Sequence, residues 1–180
     1  MPATLERKVS LTCHPASAPG AVRAIDVLVR RGVGGRLSLR YGVVCDRRAV
    51  RIPAPLAPRR ADRLWQHTCF EAFLAPGRES GYTELNFAPS GEWAAYRFAG
   101  YRAGMSLDGA LPAPTVTFAA NRAGFELEAA IEPLPSSPEE SVRLALAAVI
   151  EQADGLAYWA LRHPPGKPDF HHPESFALEI

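Results

Sequence analysis

The chain has 180 residues, of which 47% are hydrophobic and 22% are charged. This balance is typical of one globular domain and excludes a disordered or collagen-like chain, so we predict a single domain over residues 1–180. Twenty basic and nineteen acidic residues leave a net charge of +1. Nucleic acid is not expected as a partner, because its binding requires a surplus of cations on one surface.

Cysteine usage and hydropathy restrict the class of protein further. Three cysteines, an odd number without a Cys-x-x-Cys pair, argue against a disulfide framework and against a zinc cluster. The longest apolar run, 144–150, has seven residues, whereas a membrane-spanning helix needs about 20. We therefore expect a cytoplasmic protein without a membrane partner, and the oligomeric state stays open.

Alternation of apolar and polar residues recurs along the chain and predicts strands that each bury one face. Turns rich in Gly and Pro separate these runs. The predicted strands, in chain order, are 9–13, 25–29, 37–45, 70–75, 85–87, 93–98, 116–118, 125–131, 142–150, 156–161 and 176–180. This pattern predicts an all-β fold, an immunoglobulin-like or jelly-roll-type β-sandwich of about ten antiparallel strands.

Two longer segments, 46–64 and 163–174, have no alternation and are predicted as irregular loops, which at this length are often functional. The first contains six arginines. We interpret them as a solvated surface, with contact to a phosphate or another anion as the alternative.

One predicted strand places polar and aromatic side chains on the same face. Around residues 65–74, the side chains of Trp65, His67 and Glu71 lie opposite the apolar Phe70. If the next strand folds back through residues 76–81, Glu71 lies opposite Asn86.

The two strands that follow extend this polar face. The pairing of Glu71 with Asn86 adds Tyr82 and Glu84 to it. A turn of four residues, 88–91, then predicts that Trp93 and Arg97 lie on the polar face, whereas Tyr96 and Phe98 lie in the core.

The polar face has three interpretations. Carboxylate, amide and guanidinium groups beside flat rings suit the hydroxyl groups and CH faces of a sugar. The same groups could instead form a structural network in which Arg97 holds Glu84. As a third alternative, Glu71 and Glu84 lie ~7–8 Å apart as diagonal neighbours, near the carboxylate spacing of inverting glycosidases.

The segments 64–74 and 82–91 resemble the signature of DOMON-like proteins, relatives of the family-nine carbohydrate-binding modules. The pattern is a Trp, an acid-bearing strand ending in Phe, and Tyr-x-Glu-x-Asn-x-x-Pro-x-Gly, which matches Tyr82 to Gly91. The segments 158–165 and 169–176 resemble the C-terminal end of the same group. The resemblance implies a β-sandwich with a ligand site for sugars or haem. Haem-binding members use a Met/His axial pair, for which Met105 is the available methionine besides Met1.

The last loop contains His163, His171 and His172, preceded by Arg162 at a possible rim. Together with His67 these histidines could hold a metal, but the spacing typical of zinc ligands is absent. We predict that they hydrogen-bond to backbone or to ligand instead.

These observations predict a non-catalytic module that binds a carbohydrate or a similar hydroxylated small molecule, with no metal and no cofactor. A haem-binding domain and a structural or protein-interaction module remain the alternatives. The predicted ligand-binding residues are Trp65, His67, Glu71, Tyr82, Glu84, Asn86, Trp93, Arg97, Arg162, His163, His171 and His172.

Overall fold

The computed structural model describes residues 4–77, 81–134 and 140–180. These residues form strands and short 3-10 helices, with no α-helix among them, which confirms the all-β prediction. None of their helices is long and apolar enough to cross a membrane. The strands are β1 (Leu5–Cys13), β2 (Val22–Arg31), β3 (Leu37–Cys45), β4 (Cys69–Pro76), β5 (Tyr82–Phe87), β6 (Trp93–Phe98), β7 (Ser106–Leu107), β8 (Thr115–Ala120), β9 (Gly124–Ile131), β10 (Val142–Gln152), β11 (Gly155–Ala160) and β12 (Leu178–Glu179).

The strands form a curled antiparallel sheet that closes as a β-sandwich, as predicted. One half, the back sheet, has the order β1-β2-β3-β9-β8, and the other, the front sheet, has the order β7-β6-β5-β4-β10-β11-β1, with β12 also paired to β10. Strand β1 belongs to both, because residues 5–11 pair with β2 whereas Thr12 and Cys13 pair with β11. This shared strand joins the two sheets along one side.

The alternating residues of β3 explain how the back sheet buries one face. Leu39 and Tyr41 are fully buried between the sheets. Ser38 and Arg40, which alternate with them, instead hydrogen-bond to Glu128 on the partly exposed outer side. Successive side chains of a strand point to opposite faces, so this sequence builds one layer of the core and one layer of surface.

The front sheet is buried on both faces. Phe70 and Leu74 of β4 belong to the core between the sheets, whereas Phe73 belongs to a second apolar cluster on the outer face. Leu64 and Phe170, from the two predicted loops, are members of this second cluster. The outer face of the front sheet therefore lies under loops instead of facing solvent directly.

The orientation predicted for β6 is wrong. The loop between β5 and β6 has five residues, 88–92, because Phe87 pairs with Trp93, where we predicted a turn of four. One additional residue shifts the register by one and exchanges the two faces of a strand. Trp93 consequently lies in the core between the sheets and Arg97 lies on the same side of β6, whereas Tyr96 lies on the outer face.

Candidate functional site

A cleft of about 560 Å³ lies on the outer face of the front sheet. Strands β4, β5, β6, β10 and β11 contribute its sheet side, and three loops, around residues 65, 102 and 170, contribute its walls. This volume falls in the range of ~300–1,000 Å³ that is usual for small-molecule sites. Of the two irregular segments predicted from the sequence, 163–174 lines this cleft through Pro168, Phe170 and His171, whereas 46–64 ends just before the lining residue Trp65.

Two carboxyl groups from neighbouring strands line the floor of the cleft. Glu71 of β4 lies opposite Asn86 of β5, as predicted, and Glu84 lies opposite Phe73, which makes the two glutamates diagonal neighbours. Glu71 is 3% exposed and Glu84 is 6% exposed. We call these two groups the carboxyl pair.

Glu84 is held by hydrogen-bond donors. The side-chain amide of Asn86 donates to Oε1 of Glu84 at 2.8 Å, and Nε2 of His171 lies 3.7 Å from Oε2. The interpretation of the polar face as a structural network predicts Arg97 as the partner of Glu84. This prediction is wrong, because Arg97 lies on the opposite face of β6. Asn86 itself is fully buried and acts by orienting Glu84.

Glu71 has no such support. Its Oε1 atom is buried and has no hydrogen-bond partner among the described residues. Burial raises the pKa of Glu71 well above its usual value, and the nearby charge of Glu84 raises it further. Burial also raises the pKa of Glu84, but the hydrogen bond from Asn86 and the charge of Arg102 oppose that rise. Both pKa values are raised, so the carboxyl pair resists carrying two negative charges at once.

The imidazole of His171 lies beside the carboxyl pair at the floor of the cleft and is neutral at neutral pH. The backbone N–H of Arg102 donates to the Tyr82 hydroxyl, and that hydroxyl lies 2.8 Å from Nδ1 of His171. The tautomer of His171 in which Nδ1 accepts from Tyr82 carries its ring proton on Nε2, the nitrogen that lies toward Glu84. Burial, followed by the charge of Arg102, lowers the pKa of His171 to about 4. Its contact with Glu84 is thus not an ion pair at neutral pH.

The guanidinium of Arg102 lines the cleft and pairs directly with another acidic residue. It lies 2.8 Å from the Asp169 carboxylate, which also accepts a hydrogen bond from the hydroxyl of Tyr101. These two partners lower the pKa of Asp169 against the opposing effect of burial. Among the described residues Arg102 therefore pairs directly with Asp169, and it acts on Glu84 through its charge without a direct ion pair.

Aromatic rings form much of the cleft wall. Trp65 packs edge-on against Tyr96 with ring centroids 5.9 Å apart, and Tyr158 contacts Phe170 at 6.1 Å. Phe98 lines the same wall. The Trp65 ring is 36% exposed, so it presents an accessible aromatic surface at the entrance.

The structure brings together about half of the residues predicted for the site. Trp65, Glu71, Glu84 and His171 line the cleft, with Tyr82 and Asn86 bonded directly behind them.

The remaining predicted residues lie elsewhere. His67 bonds to Glu151 at 2.8 Å, and His163 donates to the carbonyl of Thr12. His172 accepts from the backbone of Glu174 at the start of a 3-10 helix. Trp93 and Arg97 lie on the other face of β6, and Arg162 is exposed and does not line the cleft.

Sequence reasoning missed several residues of the cleft. Tyr96 and Phe98 were assigned to the core through the wrong register of β6, and no periodic signal marks Arg102 in the loop after it. Tyr158 and Phe170 lie in the segments that carry the C-terminal resemblance, but no local pattern indicates that they face Glu71.

The cleft also bears on the metal and haem alternatives. Within the described ranges, no three side chains of the usual ligand types are grouped to hold a metal ion. Met105 and His171 both line the cleft. However, Nε2 of His171 lies 3.7 Å from Oε2 of Glu84, so a haem iron at this nitrogen would lie against that carboxyl group.

Comparisons with known proteins concern the fold. The structure is similar to that of a candidate carbohydrate-binding protein from Bacteroides uniformis, with a TM-score of 0.65 and 15% identity, covering 93% of this chain and 83% of that one. It is less similar to a family 9 carbohydrate-binding module from Caldicellulosiruptor kristjanssonii. In complex with cellotriose that module gives a TM-score of 0.47 and 13% identity, covering 88% and 75% of the two chains. In complex with glucose the same module gives a TM-score of 0.45 and 11% identity, covering 84% of this chain and 72% of that one. No protein-family model and no curated protein matches the sequence.

Proposed function

We propose that the chain is a non-catalytic module that binds a carbohydrate or a similar hydroxylated small molecule in the cleft of the front sheet. The observation that supports this function best is the combination of a polar floor, formed by the carboxyl pair, with aromatic walls in one cleft of about 560 Å³. Small-molecule sites typically combine an apolar lining with a few convergent polar groups.

The chemistry of the cleft suits a ring that has one polar edge and one apolar face. The carboxylate of Glu84 can accept hydrogen bonds from ligand hydroxyl groups, and the protonated carboxyl of Glu71 can donate one. Trp65 supplies a flat surface for the CH face of the ring, at a position that is partly exposed in the free protein.

The sequence motif and the fold comparison support the same proposal. The Tyr-x-Glu-x-Asn segment that resembles DOMON-like proteins contributes Glu84 to the floor and Asn86 and Tyr82 to its support. The solved structure with a TM-score of 0.65 is that of a candidate carbohydrate-binding protein. We place this chain with such modules as part of the proposal.

The proposal is tested by titrating the protein with neutral, acidic and basic saccharides, first by thermal shift and then by calorimetry. A ligand at one hundred times its Kd stabilises the fold by ~2.7 kcal/mol, which moves the melting temperature by several degrees. Trp65→Ala, at the exposed wall, and Glu84→Gln, at the floor, are each expected to weaken binding about tenfold.

Glu126→Gln, on the exposed side of β9, is the matched control and should bind as the wild type does. A flat response to every saccharide class would contradict the proposal. Unchanged affinity in both Trp65→Ala and Glu84→Gln would show that binding occurs elsewhere.

A second candidate function is glycoside hydrolysis, which one observation favours. The cleft is concave and holds two neighbouring buried carboxyl groups, and burial raises the pKa of Glu71 well above its usual value, as an acid–base mechanism requires of its acid. Incubation with oligosaccharides separates the two functions, because an enzyme would release shorter sugars and lose this activity in Glu71→Gln. A binding module would leave the oligosaccharides intact.

A further inference from the structure

We propose that the carboxyl pair selects a ligand with a positively charged amine, so that the cleft prefers an amino sugar to the corresponding neutral sugar. This inference rests on the proposed function and specifies its ligand class. It starts from one buried polar atom. Oε1 of Glu71 is buried at the cleft and has no hydrogen-bond partner among the residues described.

The two basic side chains near the carboxyl pair do not form an ion pair with it at neutral pH. From the loop after β6, Arg102 faces the pair but is bound to Asp169 of the C-terminal loop at 2.8 Å. From that same loop, His171 is neutral and points its Nε2 toward Glu84.

The other elements packed around the pair contribute no compensating charge. Strand β6 contributes Tyr96, whose hydroxyl donates to Asp62 at 2.7 Å, and β4 contributes the buried thiol of Cys69. Strand β5 contributes the neutral Asn86 and Tyr82. Because none of these groups is a cation, the pair has a net negative charge even when Glu71 is protonated.

A ligand ammonium group can replace the proton that is bound to the carboxyl pair. With one proton bound, the pair carries one negative charge. If an ammonium group binds and Glu71 releases its proton to solvent, two carboxylates and one ammonium group again sum to one negative charge. The exchange therefore leaves the net charge of the pair unchanged, and it supplies donors to Oε1 of Glu71, which has no partner among the described residues.

The walls of the cleft suit the same ligand. Aromatic faces attract cations through the electrostatic field of the ring, and clusters of such rings are a recognised way to bind ammonium groups. Trp65, Tyr96, Phe98, Tyr158 and Phe170 all line this cleft. Aromatic walls over an acidic floor favour a cation more than they favour a neutral hydroxyl group.

The test compares ligands that share one ring. Glucosamine, glucose and N-acetylglucosamine are titrated by calorimetry at about pH 6, below the ~7.7–8.0 pKa of an ordinary α-amine. We expect glucosamine to bind at least about tenfold more tightly than either neutral sugar. Titrations in buffers of different ionisation enthalpy should show the release of about one proton for glucosamine and none for glucose.

Variants separate the role of the pair from general binding. Glu71→Gln, which keeps the shape of the side chain, should remove both the amine preference and the proton release. Glu126→Gln, on the exposed side of β9, should retain both. Persistence of either signature in Glu71→Gln would overturn the inference.

Two further outcomes distinguish this inference from the proposed function. Equal affinity for glucosamine and glucose would overturn the amine preference and leave carbohydrate binding intact. Cyclohexylamine has the same ring size and the amine but no hydroxyl groups, so its binding in the absence of any sugar binding would support the amine contact and overturn the carbohydrate function.

Discussion

At the scale of single residues, Glu71 occupies an environment that opposes its own ionisation. Its carboxyl group is 3% exposed, lacks a partner for Oε1 among the described residues and neighbours a second buried carboxylate. A buried polar group without a partner costs about 1–3 kcal/mol. Such a cost at the floor of a cleft is consistent with a group whose partner is a ligand.

The pKa of Glu71 makes stability depend on pH in a defined direction. Its pKa is raised well above the usual value in the folded protein, whereas in the unfolded chain it ionises near its ordinary value of about 4.3. The stability contributed by the protonated form is therefore complete below about pH 4.3 and is lost as pH rises toward the folded pKa.

Glu71→Gln should stabilise the protein more at about pH 8 than at about pH 4, because the glutamine does not ionise. Denaturant unfolding at both pH values measures the difference, with Glu126→Gln as the control. A gain that is the same at both pH values would mean that folding does not shift the pKa of Glu71.

His171 gives a pH dependence of the opposite sign. Its folded pKa of about 4 lies below the unfolded value of 6.5, so the stability due to neutral His171 is present above pH 6.5 and is lost as pH falls toward 4. The loss is on the order of 2–3 kcal/mol.

We expect the stability advantage of the wild type over His171→Gln to shrink by this amount across that window. Titration of the His171 ring protons by NMR gives an independent measurement. A midpoint near 6.5 in the folded protein would contradict the expectation.

At the scale of elements, the loop before β4 is anchored by one arginine of the predicted cluster. The guanidinium of Arg60 donates to the carbonyl oxygens of Ala95 and Asp108 and lies 4.6 Å from the ring centroid of Trp93. Its neighbour Arg59 pairs with Glu92 and is largely exposed. The interpretation of a solvated surface thus fits Arg59, whereas Arg60 connects the loop to the sheet.

This difference predicts unequal effects for the same substitution at adjacent positions. Arg60→Met keeps most of the aliphatic chain but removes two charged hydrogen bonds, and should destabilise the fold by about 2 kcal/mol. Arg59→Met should cost no more than about 0.5 kcal/mol, as is usual for an exposed ion pair. Equal losses, measured by denaturant unfolding, would show that Arg60 does not anchor the loop.

At the scale of the whole molecule, the fold contains two apolar clusters with different partners. The core between the sheets is built mainly from strand residues such as Phe125, to which Val50, Leu111, Leu134 and Ile180 add side chains from outside the strands. The second cluster depends on loop residues such as Phe170, which closes over the outer face of the front sheet. Loss of the second cluster should therefore leave the sandwich itself folded.

We expect Phe125→Ala to destabilise the whole fold by about 3–5 kcal/mol. Phe170→Ala should reduce global stability less and should increase hydrogen exchange mainly in the segment 161–177. Exchange measured by mass spectrometry distinguishes the two variants. Faster exchange of β2, β3 and β9 in Phe170→Ala would contradict the independence of the clusters.

The parts of the fold that follow from local patterns could be predicted. Alternation in β3 and β9 indicates which side chains face the core, since successive residues of a strand point to opposite faces. The pairing of Glu71 with Asn86 follows from a turn bounded by apolar residues on both sides. The next pairing could not be predicted in the same way, because loops of four and five residues at 88–92 are both compatible with the sequence, yet only the latter places Tyr96 in the cleft.

The sequence by itself determined the all-β class, the facing residues of most strands and the two glutamates of the floor, because each depends on neighbours that are close along the chain or across one turn. Only the tertiary structure decided that Arg102, Phe170 and His171 line one cleft with Glu84. Their positions depend on how two long loops fold over the outer face, and no short-range periodicity encodes that packing. The chemistry of the cleft results from these long-range contacts, which bury the two carboxyl groups and leave one without a partner.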